Sequence, residues 1–271
     1  MRYAVEEHDL SERRACRLLN VSRTGYRYRP KRPDDGEIRE QLGHLAERWP
    51  RWGYHKMRKW IRKQGHPWNH KRIYRVYCEM NLNMRVKPKK RLPSREPQKL
   101  AQPEAAGLCW SLDFIEDRLE NGRKFRVLNV LDDFNRETLW AEVNFSITSL
   151  RVIHILELLT AYRGYPKRIR SDNGSEFIAK RTKQWADEHH VTLDYIEPGK
   201  PTQNGYVERF HRTYREDVLD MYLFRSLEEV RRLTEEWRYR YNTERPHDAL
   251  HDMTPVEYAL AAHHSLAAAP A

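Results

Sequence analysis

Three acidic residues in distinct settings carry the clearest chemical signal in this chain. Asp113 lies in the stretch Trp-Ser-Leu-Asp-Phe, Asp172 precedes Asn-Gly, and Glu208 follows Gln-Asn-Gly-Tyr-Val. Thirty-five residues separate Asp172 from Glu208, and Asp113 stands 59 positions before Asp172. Carboxylates hold magnesium beside phosphate in proteins, and magnesium held in this way promotes in-line phosphoryl transfer. The three residues are therefore candidates for one catalytic metal site.

Each carboxylate also has an ordinary structural explanation. Asp113 sits among apolar residues of a strand pattern, where an unpaired charge is costly unless it reaches a metal or a cation. Asp172 is also explained as a turn residue before Asn-Gly, and Glu208 as a favourable charge in the first turn of a helix. Their joint placement in a strand, at a strand end and on a helix favours a shared catalytic role.

The elements that must position these carboxylates follow from the hydrophobic pattern. From Leu108 apolar residues alternate with polar ones, and Asn121-Gly122 is typical of a hairpin turn. The pattern predicts three antiparallel strands, then a helix, a strand, a helix, a strand and a helix. After the first strand, the predicted bounds are Phe125 to Leu131, Thr138 to Phe145, a helix capped by Ser149 and ended by Gly164, a strand led by Ile169, a helix from Ala179 to His189, a strand from Val191 to Ile196, and a helix from Gly205.

The helix after Ser149 is predicted to bury an apolar stripe that runs to Tyr162. Beyond the last of these elements, Ser226 with Glu229 has the spacing of a capping box that begins a long helix. Thr254-Pro255 with Glu257 repeats this signal on a shorter helix. The Ala- and His-rich end from about Ala261 is expected to be frayed.

The N-terminal third is basic and is predicted to be helical. Residues 1–107 hold 27 Lys and Arg against 12 Asp and Glu, whereas the remaining residues are slightly acidic. Ser11 to Arg29 is typical of two short helices, and Arg23 and Arg27 lie on the second, as on the recognition helix of a helix-turn-helix. A basic helical hairpin without that function remains the alternative.

A second helical group follows the basic Pro-containing segment at residues 30–33. A surplus of Lys and Arg is the expected footprint of contact with the phosphate backbone, although a solvated basic face looks the same. The candidate DNA-binding residues of this group are Lys56, Lys59, Lys71 and Arg72. Between Arg85 and Gly107 the chain is basic, contains prolines and lacks apolar periodicity, which predicts a linker.

Composition excludes several classes of protein. Mean hydropathy is −0.94, 33% of residues are charged, and the start lacks the apolar stretch of a signal peptide, so a cytosolic protein is expected. Cys16, Cys78 and Cys109 are too few and scattered for a disulfide framework, and without a C-x-x-C a structural zinc is not expected.

Taken with their surroundings, the three carboxylates resemble the retroviral-integrase-like core of bacterial insertion-sequence transposases of the Asp-Asp-Glu type. The resemblance runs from about Leu108 to the Thr-Pro-Val-Glu-Tyr segment that begins at Thr254, and the region before it resembles the helix-turn-helix part encoded in the second open reading frame of such elements. It implies an α/β fold with a ribonuclease-H-like core, a five-stranded mixed sheet with flanking helices, preceded by an all-α region. His211 stands where many family members have Asn.

The resemblance also implies a site and its cofactor. Asp113, Asp172 and Glu208 are the expected catalytic and metal-binding residues, with two Mg²⁺ ions per site and Mn²⁺ as a substitute. Gln203 and Asn204 resemble the polar segment before the glutamate helix. His211, Arg212 and Arg215 share or flank the face of Glu208 on that helix, so they are expected to contact bound DNA.

The predicted organisation has four parts: a helical DNA-binding region at 1–84, a linker at 85–107, the catalytic core at 108–222, and a C-terminal helical extension with a frayed tail at 223–271. Expected partners are double-stranded DNA from element ends and target, further copies of the chain on that DNA, and the product of the element's first reading frame or a frameshift fusion with it. A bacterial cytoplasmic, nucleoid-associated location and no membrane contact follow. Two alternatives remain: a ribonuclease-H-like nuclease without strand transfer, and a DNA-binding regulator with an inactive core.

Overall fold

The computed structural model describes residues 10–28, 34–84, 100–197 and 201–267. The chain divides into two compact units, residues 1–41 and residues 42–271. Most of the predicted linker, residues 85–99, and the end of the tail, residues 268–271, lie outside the described residues.

The helices and strands follow one another in an order that agrees with the predicted core. The helices before the sheet are α1 (Glu12–Leu18), α2 (Arg23–Arg27), α3 (Gly36–Arg48), α4 (Tyr54–Lys63) and α5 (His70–Glu79). The core contains β1 (Cys109–Arg118), β2 (Lys124–Asp132), β3 (Thr138–Asn144), α6 (Ser149–Arg163), β4 (Arg168–Ser171), α7 (Ser175–Ile178), α8 (Lys180–Glu188), β5 (Thr192–Tyr195) and α9 (Gly205–Tyr214). Helices α10 (Leu227–Thr243) and α11 (Pro255–Ala267) follow.

The first unit contains α1 and α2, each capped as the sequence predicts. The side chains of Ser11 and Ser22 accept backbone N–H groups in the first turns of the two helices. On α2, the guanidinium of Arg27 lies 2.8 Å from the Glu12 carboxylate, and that of Arg23 lies 3.4 Å from it. Both predicted DNA-binding arginines are therefore paired with an acidic neighbour on α1, in an exposed position where such pairs are weak.

Five strands form one mixed sheet in the order β3-β2-β1-β4-β5. Strands β1, β2 and β3 are antiparallel neighbours, and β4 and β5 run parallel to β1. Ser111 of β1 pairs with Arg170 of β4. Two residues further along the same register, Asp172 follows β4 beside Asp113 of β1. Neighbouring strands lie about 4.8 Å apart, so the fold brings these two carboxylates together.

One face of the sheet holds the main core. Trp110 and Leu112 of β1 pack there with Val152 and Leu156 of α6, all of them fully buried. Helix α6 ends at Gly164 as predicted, but two other predicted details are wrong. Thr148 is the N-cap, so Ser149 is the first helical residue and not the cap. Tyr162 is 87% exposed because the stripe turns away from the sheet in the last turn of the helix.

Helix α9 is anchored by aromatic packing against α10. Phe210 and Tyr214 are buried and contact Trp237, with ring centroids 5.5 Å and 5.1 Å away, and the Tyr214 hydroxyl lies 2.7 Å from the Thr234 hydroxyl. Burial of each such side chain contributes roughly 1.5–3 kcal/mol. This packing fixes the helix that carries Glu208.

Both capping signals beyond α9 are confirmed. The Ser226 hydroxyl accepts the N–H of Glu229 at 3.2 Å at the start of α10. At the start of α11, Thr254 and Glu257 exchange two hydrogen bonds, each side chain accepting from the other's backbone. The tail prediction is wrong in part, because α11 continues to Ala267 instead of fraying from Ala261.

The helical region after residue 41 packs with the C-terminal elements. Three basic residues of α3 and α4 pair with carboxylates near α10 and α11: Arg48 with Glu244, Lys59 with Asp248 and Asp252, and Lys63 with Glu257. Trp49 and Trp52 are buried and stacked, with ring centroids 4.7 Å apart. Residues 42–84 thus belong to the unit that holds the sheet.

Among the described residues, no helix is both long enough and apolar enough to span a membrane.

Candidate active site

Asp113 lies in the middle of the central strand, on the face opposite Trp110 and Leu112. One of its carboxylate oxygens accepts the N–H of Phe114 at 2.8 Å. Burial and, after it, the negative charges of Asp172 and Glu208 raise the pKa of Asp113 to about 7, against the opposing effect of that hydrogen bond. The charges of both other carboxylates therefore affect the ionisation of Asp113.

Asp172 leaves the end of β4 in a tight turn. Its carboxylate accepts the N–H of Gly174 at 3.0 Å. A Cβ placed on Gly174 would lie 3.0 Å from that same carboxylate oxygen and 3.3 Å from the ring of Phe177. The turn therefore requires glycine for close approach, and its backbone φ lies outside the left-handed region.

Glu208 projects from the first turn of α9 and is exposed. Partial burial raises its pKa, and Arg212, one turn further along the helix, opposes that shift. Because Glu208 is exposed, its side chain can change rotamer and approach Asp113, while the backbone of α9 stays fixed.

His211 joins this group through a chain of polar contacts. Its Nδ1 lies 3.4 Å from an oxygen of Asp113, and its Nε2 lies 2.9 Å from the side-chain amide nitrogen of Asn129. Burial lowers the pKa of His211 to about 4, with Arg215 adding to the effect, so the ring is neutral near pH 7. In the tautomer that satisfies both contacts, Nδ1–H faces Asp113 and Nε2 accepts from Asn129.

Asn129 is a site residue that the sequence reasoning missed. It pairs directly with Asp113 across β1 and β2, and it is fully buried. The available signal was an amide in the middle of the apolar run Val-Leu-Asn-Val-Leu, where a polar side chain requires a partner.

Gln203 and Asn204, the polar segment before α9, hydrogen-bond to other parts of the protein near the site. The side chain of Asn204 is buried and donates to the carbonyl of Leu112 at 3.3 Å. The Gln203 amide exchanges hydrogen bonds with Glu197, accepting from its N–H at 2.8 Å and donating to its carboxylate at 3.1 Å. In this structure the Asn204 side chain bonds to β1, and its contact with DNA stays a prediction.

The two predicted arginines of the glutamate helix differ in their surroundings. Arg212 is exposed. Arg215 donates to the carbonyl of Glu116 at 2.9 Å and lies 3.4 Å from the carboxylate of Asp117. Arg212 therefore stays a candidate for contact with DNA, whereas Arg215, which follows the last residue of α9, bonds to the end of β1.

The basic candidates before the sheet are also divided. Lys71 is exposed on α5, and Arg72 beside it is partly buried. Lys59 is paired with Asp248 and Asp252, so its ammonium group is already neutralised. Lys56 lines a cavity beside α9. Neither Lys56 nor Lys59 pairs with any of the three carboxylates.

Two acidic residues that the sequence left without a catalytic role have clear partners. Glu176 pairs with Arg126, whose guanidinium lies 4.0 Å from the ring centre of Phe114. Asp133 is buried and pairs with Arg170 at 2.8 Å. These pairs hold β1, β2 and β4 around the site.

The donor set fits a divalent cation by its chemistry. Three carboxylates supply hard oxygen ligands. The histidine in contact with Asp113 is neutral, so it does not offset the burial and the negative charges that raise the pKa of Asp113. In the described ranges no three His, Cys, Asp or Glu side chains are gathered closely enough to hold a metal ion. Coordination of one ion by all three would require their side chains to come closer together.

Family comparisons match the two parts of the chain separately. The family described as an integrase core domain matches residues 103–201, and a second family with the same description matches residues 189–255. A family described as an HTH-like domain matches residues 34–91. That match falls on the second predicted helical group, not on Ser11 to Arg29.

Similar proteins come from bacterial insertion elements. The chain is 40% identical to the insertion element IS407 uncharacterized 31.7 kDa protein of Burkholderia multivorans, over 98% of this chain and 96% of that protein. It is 37% identical to the insertion element IS476 uncharacterized 39.2 kDa protein of Xanthomonas euvesicatoria, over 96% and 75%. Identity is 27% to the transposase InsD for insertion element IS2D of Escherichia coli, over 85% and 80%.

Among solved structures, a chain of the simian T-cell lymphotropic virus intasome in complex with PP2A regulatory subunit B56 gamma has the same fold. It is 15% identical, with a TM-score of 0.50 over 80% of this chain and 73% of that chain.

Proposed function

This chain belongs to the insertion-element transposases with an integrase core, and from that premise we propose that it cleaves the ends of its element and joins the freed 3′ hydroxyl to DNA. The proposed reaction class is polynucleotidyl transfer with Asp113, Asp172 and Glu208 as catalytic residues.

The observation that supports the proposal is that three carboxylates come from separate elements and that the charges of Asp172 and Glu208 both act on Asp113. Asp113 comes from β1, Asp172 from the end of the parallel strand β4, and Glu208 from α9, which is fastened by Phe210 and Tyr214. Like charges so placed destabilise the fold when nothing compensates them, as the raised pKa of Asp113 indicates. Sites that store such a cost are characteristic of function.

We propose that these three residues hold Mg²⁺, two ions per site, with Mn²⁺ able to substitute. When bound, the ions would supply charge stabilisation at the transferring phosphate and activation of the attacking oxygen. The chain's own residues prepare for this chemistry: His211 orients Asp113, Gly174 lets the Asp172 carboxylate turn back on its own loop, and Asn204 fixes the start of α9 against β1.

The proposed reaction needs no covalent link between protein and DNA. In the first step a water oxygen attacks a phosphodiester phosphorus, and the 3′ oxygen leaves and takes a proton. In the second step that 3′ hydroxyl attacks another phosphodiester and displaces its 3′ oxygen. A serine or tyrosine recombinase would instead use a side-chain nucleophile.

The two alternatives differ from this proposal in products. A ribonuclease-H-like nuclease would only nick or hydrolyse DNA, and a regulator with an inactive core would bind without changing it. The test is to incubate the full-length protein with labelled element-end duplex and Mg²⁺ and to resolve nicked and joined products. Joined products support the proposal, nicks alone favour the nuclease, and binding without either favours the regulator.

We further propose that the chain assembles with copies of itself on duplex DNA, and that it acts with the product of the element's first reading frame or as a fusion with it. A cytoplasmic, nucleoid-associated location fits these partners. The four-part division at residues 84, 107 and 222 is likewise proposed, with the qualification that residues 42–84 pack with the catalytic unit. Sizing of the protein with and without element-end duplex measures the assembly.

A further inference from the structure

A cavity of about 380 Å³ opens on the side of α9 that carries Tyr206, Arg209 and Thr213. Residues three and four apart share a helix face, so these residues lie away from the face of Glu208 and His211. The helix thus has the carboxylate site on one side and this cavity on another.

The cavity is lined by cations that exceed the available anions. Lys56, Arg136, Arg209 and Arg245 contribute four positive charges. Arg245 is paired with Asp217 at 2.6 Å, and the nearby Asp248 is already bound by Lys59. Within the part of the chain that the structure describes, the side chains of Lys56, Arg136 and Arg209 have no ion pair.

The pKa values of two lining groups are consistent with this surplus. Burial is the largest cause of the lowered pKa of Lys56, about 8; Arg245 and Arg209 add to it, whereas Asp217 and Asp248 oppose it. Burial also lowers the pKa of His247 to about 3, and Arg245, Lys56, Arg136 and Arg209 all act in the same direction. The neighbouring cations therefore add to the effect of burial at both groups.

Two buried polar atoms of the lining lack hydrogen-bond partners. They are Nε2 of His247 and Nη1 of Arg136. The Arg136 guanidinium is held over the ring of Tyr206, 3.3 Å from its centre, so it is fixed in place without being neutralised. An unsatisfied buried donor costs roughly 1–3 kcal/mol, and a ligand with acceptor oxygens would remove that cost.

We propose that this cavity binds one phosphate of a DNA strand, held by Lys56, Arg136 and Arg209 with His247 as a neutral donor. A phosphate offers several acceptor oxygens to cations that converge from different directions, as these do from α4, the β2–β3 turn and α9. The volume exceeds that of the phosphate group, and the aromatic walls give room for the attached deoxyribose. That the phosphate comes from DNA rests on the proposed function; the anion site itself does not.

The first test uses inorganic phosphate and the full-length protein. Phosphate is added against NaCl at matched ionic strength, and the unfolding temperature is measured for wild type, Lys56→Met and Arg209→Gln. Arg232→Gln is the matched control because it removes one exposed positive charge from α10, outside the cavity. We expect phosphate to raise the unfolding temperature of wild type and the control, and of neither cavity variant.

The second test uses element-end duplexes in which single phosphates are replaced by uncharged methylphosphonates. At one position we expect wild type and Arg232→Gln to lose roughly tenfold in affinity, while Arg209→Gln shows no further loss there. The dependence of affinity on salt should also fall by about one ion for Arg209→Gln. Arg209 is exposed, so this variant is expected to fold.

The outcomes separate the claims. Phosphate stabilisation without a coupled DNA position overturns the assignment to DNA, and absence of both effects overturns the site. Equal responses of Arg209→Gln and Arg232→Gln in both tests also overturn it. Both readouts are binding measurements, so they stand whether or not joined products form, and joining with no coupled phosphate would leave the proposed function intact while removing this inference.

Discussion

The ring of His211 lies with Nδ1 3.4 Å from the Asp113 carboxylate and Nε2 2.9 Å from the amide of Asn129, so one neutral histidine connects the two central strands to α9. Each of the three residues comes from a different element: β1, β2 and α9. Asn129 pairs directly with Asp113 in the sheet, so the histidine contacts two side chains that lie opposite each other on β1 and β2.

His211→Ala is expected to slow strand joining by roughly 10–100-fold, the range found for residues that orient a metal ligand. His211→Asn retains a donor near Asp113 and should recover part of the rate. DNA affinity should be little changed in both variants. The rate of joining and the affinity for DNA are measured for both variants with the same duplex. A loss of affinity as large as the loss of rate would assign His211 to DNA contact instead.

Asp113→Asn is expected to stabilise the metal-free protein at neutral pH. The folded-state pKa of about 7 exceeds the ordinary value of 3.8, so ionisation of Asp113 costs the folded state stability as pH rises through this window. Relative to wild type, the variant should gain roughly 1–3 kcal/mol at pH 8 and nothing below about pH 4. Denaturant unfolding in EDTA across this range measures the gain. A constant difference at all pH values would refute the charge-based cause.

Gly174→Ala is expected to impair joining and to lower stability by roughly 1 kcal/mol. The new methyl group would displace the Asp172 carboxylate, which it meets at 3.0 Å, from its position in the site, and it would press on the buried ring of Phe177 at 3.3 Å. A displacement of about 1 Å can cost 100-fold in rate. Gly205→Ala is the control because no atom lies within 4 Å of the added Cβ and alanine favours the helix start. Similar losses in both variants would point to a general effect of added bulk.

Arg212→Ala and Arg215→Ala should have opposite phenotypes. Arg212 is exposed, so its loss should weaken DNA binding, lower the salt dependence by about one ion and change stability by less than about 0.5 kcal/mol. Arg215 bonds the Glu116 carbonyl, so its loss should cost about 1 kcal/mol of stability. The free energy of unfolding and the salt dependence of DNA binding, measured for both variants, distinguish the two roles. Weakened binding by Arg215→Ala alone would reverse them.

The sequence predicted the order of the core elements because alternation, turn residues and capping boxes are local signals. The Asn121-Gly122 turn and the Thr254–Glu257 box were readable without knowledge of the fold. The β1–β4 register that sets Asp172 beside Asp113 is non-local, and no local pattern encodes it. Tyr162 shows that a local pattern can also mislead. Its position in the helix matched the apolar stripe, but the sheet does not extend far enough to bury it.

The basic residues illustrate a second limit. Lys56 and Lys59 are three positions apart on α4 and look equivalent in sequence. In the structure one lines a cation-rich cavity while the other is neutralised by Asp248 and Asp252, nearly 200 residues away. Charge counts locate a basic region, but partners brought by tertiary packing decide which cations are free to meet DNA.

The most direct measurement is strand joining by Asp113→Asn, Asp172→Asn and Glu208→Gln on labelled element-end duplex with Mg²⁺, with Asp187→Asn as a control for loss of an exposed carboxylate on α8. Each of the three variants is expected to lose joining and cleavage by at least about 1,000-fold while binding the duplex within about threefold of wild type, and the control to retain both. Near-normal joining by any one of the three would contradict the account of a single three-carboxylate site.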